Sequence, residues 1–208
     1  MSKTWGQVRG EILRLGGEDA GVYERCPELF FEAVNRAAGV VSALVCPEVG
    51  RGRILLSAKE GWEEVDPFSF ARYGGLYGDK PVVFSGGREV PLYEELSDGK
   101  LCFAPGQAGE VLVFYRKEPV AVTAQTGDGE ELGLSYEAGL LVPLLAAFYV
   151  WEDEDERKAL LYRNDYEDLR AAILARRPRR ARGSPTVRAF PARERAWPWG
   201  SRSAPAWG

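Results

Sequence analysis

The sequence predicts an α+β protein: a helical bundle into which a small antiparallel β-sandwich or partial barrel is inserted, followed by an extended C-terminal arm. Three observations carry this. Apolar residues recur at helical spacing near both ends of residues 1–175. Between them, residues 53–123 break into short strand-like pieces separated by turn dipeptides. Residues 176–208 hold nine arginines, no lysine, one acid, five prolines and three of the chain's six tryptophans. The expected organisation is N-terminal bundle helices in 1–50, a β insert in 51–133, a helical hairpin completing the bundle in 134–176, and an Arg/Pro/Trp arm in 177–208.

Thr4 and Gln7 have capping-box spacing, and Trp5, Val8, Ile12 and Leu15 then share one helical face until Gly16-Gly17. Pro27 suits a first helical turn; after it Phe30, Val34, Ala37, Ala38, Val41 and Val45 form a stripe that Pro47 closes. Strands are expected at Arg53–Ala58, Glu63–Val65, Phe68–Tyr73, Pro81–Phe84, Glu89–Tyr93, Lys100–Ala104 and Val111–Arg116. Gly74-Gly75, Gly86-Gly87 and Asp98-Gly99 are the expected turns. The polar, glycine-rich stretch Ala124–Glu131 reads as an exposed connection. Ser135 is placed to cap a helix whose Leu140, Leu141, Leu144, Leu145, Phe148 and Trp151 make it apolar almost all round, with Pro143 bending it or marking its first turns. The acidic run Glu152–Glu156 opens a last helix with the stripe Ala159, Tyr162, Tyr166, Leu169 and Ile173, packed on its predecessor as an αα-hairpin.

Charge is polarised along the chain. Of 27 basic and 31 acidic residues the tail holds nine and one, so the body carries −12 and the tail +8. Three widely spaced cysteines, Cys26, Cys46 and Cys102, form no C-x-x-C and indicate a reducing cytoplasm, with small buried side chains as their expected role. The longest apolar run, Ala138–Trp151, is too short for a membrane span, and the N-terminus lacks a signal-peptide core.

Chemistry is sparse. The absence of histidine removes Ser-His-Asp and Cys-His schemes and histidine-ligated metals, and neither a P-loop nor a G-x-G-x-x-G follows a strand. No catalytic residue, cofactor or metal is therefore assigned. Glu152–Glu156 reads as a set of helix-dipole partners, Asp128 with Glu130 and Glu131 as a solvated turn, and Tyr162 with Tyr166 as core. The expected functional residues are those of the arm: Arg177, Arg179, Arg180, Arg182, Arg188, Phe190, Arg193, Arg195, Trp197, Trp199 and Trp207. Arginine and tryptophan anchor interfaces, so the arm is expected to order on a partner, and an acidic protein with aromatic-lined grooves fits its Arg, Pro and Trp mixture. A nucleic-acid-binding module using the Arg-rich tail is the alternative, and a carboxylate-dependent hydrolase is the weakest reading.

The order of elements resembles the head-to-tail adaptor, or head-completion, proteins of tailed bacteriophages. The resemblance runs over residues 4–174. It is carried by Trp5-Gly6-Gln7-Val8, by the helix Phe31–Ala43 with Val34-Asn35-Arg36-Ala37, and by Gly109-Glu110-Val111-Leu112-Val113-Phe114-Tyr115-Arg116 leading to Glu118-Pro119. In Leu134–Leu174 it continues through Leu144-Leu145-Ala146-Ala147-Phe148-Tyr149, Lys158-Ala159 and Tyr166-Glu167-Asp168-Leu169. Pro143 has no counterpart in it, and the tail lies outside it. What it implies is a structural virion protein made in the host bacterial cytoplasm and placed in the neck. It would meet the portal protein, the tail or next neck protein, and copies of itself in a ring of twelve, with DNA passing through the lumen, no membrane and no reaction catalysed. An acidic lumen would let DNA slide without sticking.

Overall fold

A computed structural model of the chain describes residues 2–17, 20–86 and 89–176. Helix α1 (Trp5–Leu15) starts as its spacing requires: the Thr4 hydroxyl accepts from the Gln7 N–H and the Gln7 side chain accepts from the Thr4 N–H, with Trp5, Val8 and Ile12 buried. A short α2 (Ala20–Arg25), absent from the sequence reading, precedes α3 (Pro27–Leu44), which has Pro27 in its first turn and Phe30, Val34, Ala37, Ala38 and Val41 buried. After the β region come α4 (Tyr136–Trp151), capped by Ser135, and α5 (Glu156–Arg176). Ten of the sixteen α4 residues are buried, because α1, α3 and α5 all pack against it. Pro143 lies in the interior of this continuous helix, not in its first turns, and leaves the Gly139 carbonyl without its usual helical donor.

The acidic run contributes its fourth member as a cap, just before α5 begins at Glu156: Asp155 accepts from the Lys158 N–H at 3.1 Å through its side chain and from the Ala159 N–H at 2.9 Å through its carbonyl. The α5 stripe is buried at Ala159, Tyr162, Tyr166 and Ile173, half-buried at Leu169, and docks on α4 as the expected hairpin. The Tyr162 hydroxyl donates to the Leu15 carbonyl at the end of α1. Tyr162 and Tyr166 are thus core residues, as their spacing predicts.

The β region is mixed with these helices as two antiparallel sheets, and no closed barrel forms. Strands β1 (Glu48–Ser57), β3 (Tyr73–Leu76), β4 (Val82–Phe84) and β7 (Ala108–Lys117) make one sheet; β2 (Glu63–Val65), β6 (Leu101–Phe103) and β5 (Tyr93–Glu95) make the other. In the first sheet β7 is central, with β1 along one side in ten unbroken pairs from Glu48↔Lys117 to Ser57↔Ala108, and β3 and β4 sharing the other. Both sheets feed one apolar core through Ile54, Leu56, Val82, Leu101, Phe103, Val111 and Val113.

Three strand expectations and one turn are corrected. The stretch expected as Phe68–Tyr73 is a 3-10 turn over Pro67–Ser69, because Asp66 caps the Phe68 N–H at 2.9 Å and Pro67 fixes the first turn. Gly74-Gly75 lies inside β3, where the register shifts and Gly75 takes φ +104°, so it is a bulge rather than a turn. The strand expected at Glu89–Tyr93 begins at Tyr93 instead, and β1 starts at Glu48, five residues before its expected first residue. The Asp98-Gly99 turn is as expected, with Gly99 at φ +82°.

Close backbone approach explains β1. A Cβ on Gly52 would sit 2.4 Å from the Phe70 ring and one on Gly50 would sit 2.3 Å from Tyr115, whose ring stacks on Phe70 at 5.4 Å. Two residues further along the same end of the sheet Arg72, itself at φ +58°, joins four segments. It donates to the Glu118 carbonyl at 2.9 Å, the Gly133 carbonyl at 3.3 Å and the Glu48 carboxylate at 2.7 Å, while its own carbonyl accepts from the Glu118 N–H. Gly133 has φ +62° and a Cβ there would overlap the Arg72 guanidinium, so this crossing requires glycine. Lys117 adds a second cation 3.0 Å from Glu48. Burial raises the Glu48 carboxyl, and the hydrogen bonds from Arg72 and Lys117 outweigh it, holding the group below the ordinary glutamate range.

Two outcomes are expected. Gly52→Val will cost about 1–3 kcal/mol or more in urea unfolding, because the ring of Phe70 must move. Glu48→Gln will cost about 1 kcal/mol at neutral pH. A depressed carboxylate contributes stability above its unfolded pKa and loses it as pH falls through the folded value, so the gap between parent and variant will narrow in melts taken from about pH 7 down to about pH 3.

Candidate functional site

The residues expected to bind a partner, Arg177, Arg179, Arg180, Arg182, Arg188, Phe190, Arg193, Arg195, Trp197, Trp199 and Trp207, lie outside the described residues. The body carries a surface the sequence reading did not single out. A groove of ≈ 450 Å³ runs where α3, α4 and α5 meet. Its floor is apolar, with Val40 from α3 and Leu145, Phe148 and Tyr149 from α4, and the exposed Leu44 stands at its edge. Its rim carries Arg36, Arg163 and Arg170 against Glu152 and Glu167.

Each arginine is held over something that positions it. The Arg36 guanidinium lies 4.0 Å from the centre of the Tyr149 ring, and Arg163 lies 5.5 Å from that of Phe148. Arg170 pairs with Glu167 at 2.7 Å, and Arg36 reaches Glu152 only at 3.8 Å. Cations beside an apolar floor suit a visiting segment with both acidic and apolar side chains. The signal was present in the sequence as Arg163 and Arg170, seven apart on the flank of the Tyr162–Tyr166 stripe, but Arg36 comes from a helix more than 100 residues earlier.

Next to this groove α5 is covered on one side only. Leu160, Leu161 and Leu174 are exposed, as is Leu44 on α3. Exposed leucines grouped on one helix mark a contact surface more than scattered ones do.

The other candidates resolve as follows. Cys46 is buried as expected, whereas Cys26 is exposed and Cys102 half-buried, which corrects the reading of all three as core. Burial, then Glu64 and Glu94, push the Cys102 thiol up, away from a reactive thiolate. Ala124–Glu131 is exposed, yet it is tied to α1: Trp5 donates to the Glu130 carbonyl at 2.9 Å, Gly6 to that of Asp128 at 3.0 Å, and Arg9 pairs with Asp128 at 2.8 Å. Among the described residues no group of three or more Cys, Asp or Glu is placed to hold a metal ion, and no helix is long and apolar enough to cross a membrane. Comparison with protein-family models and with curated proteins returns no match.

The exposure of the leucines gives a check on these assignments. Leu161→Glu is expected to change stability by less than about 0.5 kcal/mol. Ile173→Glu, on the buried side of the same helix, is expected to cost about 3 kcal/mol or more in denaturant melts.

Proposed function

We propose that the chain is a structural adaptor of a tailed-phage neck, joining the portal ring to the tail and continuing the DNA channel. The observation that carries this reading is α5: a 21-residue helix buried along one stripe, with exposed leucines and an arginine-rimmed apolar groove on its other sides. A protein whose role is to be gripped by others needs such faces. The order of helices, inserted antiparallel sheets and a closing helical hairpin supports it, as does the resemblance carried by residues 4–174.

In this role the chain meets the portal protein, the tail or next neck protein, and copies of itself in a ring of twelve, and it catalyses no reaction. Its place is the virion neck, after synthesis in the host cytoplasm. The body's −12 charge would multiply around a ring and keep passing DNA from adhering. The arm, with +8 and three tryptophans, is assigned to the portal or to a neighbouring subunit.

Truncation after Arg176 is expected to leave the melting temperature of the body unchanged while abolishing capture of the portal protein in a pull-down; undiminished capture would remove the arm from the proposal. The arm's charge favours a second reading, nucleic-acid binding. Its signature is DNA affinity that falls steeply with salt and disappears on the same truncation.

A further inference from the structure

The first sheet has an open edge, and its complement is on the same chain. Among the described residues β1 pairs with β7 alone. The Ala58 N–H continues that ladder by donating to Gln107, while the Ser57 N–H turns the opposite way to the Glu63 carboxylate at 3.3 Å. Backbone direction alternates along a strand. The N–H and C=O groups of Val49, Arg51, Arg53 and Leu55 therefore point outward from the open edge. Their side chains lie on the exposed face, with Val49 44% and Leu55 76% exposed.

Arginines on an edge ordinarily guard against pairing, and they do so here against a second β1, because any antiparallel β1–β1 register gathers Arg51 and Arg53 of both copies on one face. The edge of β2 is different. In the second sheet Leu96 donates to Lys100 and Ala104 to Leu92, so the even-numbered groups of β6 face β5 and the odd-numbered ones face β2. Glu63 and Val65 then bond to β6, and the backbone of Glu64 points outward. The exposed side chains around it are Trp62, Glu64, Asp66 and Phe68, with Trp62 51% and Phe68 60% exposed. From Leu55 back to Arg51 one edge reads apolar, cationic, cationic at alternate positions; from Trp62 to Asp66 the other reads apolar, acidic, acidic, before the chain enters the 3-10 turn at Pro67.

We propose that β1 of one copy and β2 of a second copy pair antiparallel, joining the four-stranded sheet of one to the three-stranded sheet of the next. In this register Leu55 faces Trp62, Arg53 faces Glu64 and Arg51 faces Asp66 of the second copy. The contact supplies backbone partners to both edges, an opposite charge to Arg51, and a second acid to Arg53, which already meets Glu110 of its own chain at 3.4 Å. It would be the copy-to-copy contact of the proposed ring and rests on that reading only for the number of copies. The pairing itself stands on the two edges.

Sedimentation velocity of the full chain from about 1 to about 500 μM tests it, with reversible association expected across that range. Arg53→Glu and Glu64→Arg are each expected to weaken association about tenfold, and the double variant to restore it. Leu55→Pro removes only an outward N–H, so it should keep the parent's circular dichroism while remaining monomeric. A parent that stays monomeric throughout, single variants that associate like the parent, or a double variant no better than the singles would each overturn the proposal. Because portal capture is measured separately, loss of the adaptor reading would leave this result standing.

Discussion

A helix that is apolar on every side can exist in water only if every side is covered, and α4 imposes that demand on the rest of the body. Its Leu141, Val142, Leu145, Ala146 and Val150 cannot all face one neighbour, so α1, α3 and α5 are arranged around it. Phe30 of α3 meets Trp151 edge-on with ring centres 6.1 Å apart, and Trp151 also receives the Lys158 ammonium at 5.2 Å. α5 then needs just one apolar stripe, since it is the outermost layer. That division of labour leaves its remaining faces available for contact.

The β insert is attached to this bundle by polar groups rather than by a continuous apolar core; its own core is a separate cluster. Arg72 gathers the start of β1, the end of β7 and the linker before α4 through one guanidinium. Asn35 on α3 does the same for Val122, giving and receiving a backbone hydrogen bond at 2.9 and 2.7 Å. Hydrogen bonds are directional, so a few of them can fix an orientation that dispersion contacts would leave loose. A positive φ at Arg72 is tolerated because its side chain and carbonyl are both engaged.

Most of the helical layer was legible because its signals are local. The Thr4–Gln7 box, Pro27 at a first turn, Ser135 before an apolar run and the Tyr162–Tyr166 stripe each act within a few residues. The strands were legible in number and less so in place. Asp66-Pro67 is a helix-start signal embedded in an apolar stretch, and Gly74-Gly75 has the composition of a turn while its geometry is that of a bulge. α2 is too short for its periodicity to register. Candidate sites were the least legible, because each is assembled across the chain. The groove needs Arg36 beside Arg163. The β edges acquire meaning only when backbone direction says which groups face outward, and that depends on a register the sequence does not announce.

The bond from the Tyr162 hydroxyl to the Leu15 carbonyl spans 147 residues, and Lys158 reaches the Gly16 carbonyl over 142. The start of α1 is likewise tied to residues 128–131. Trp5 can meet Tyr23 and Phe31 soon after they are made, but both ends of α1 gain these partners only once residues 128–131, 158 and 162 exist. Such long-range ties close the body only after the segments between them have been made, which is the kind of contact that folds slowly.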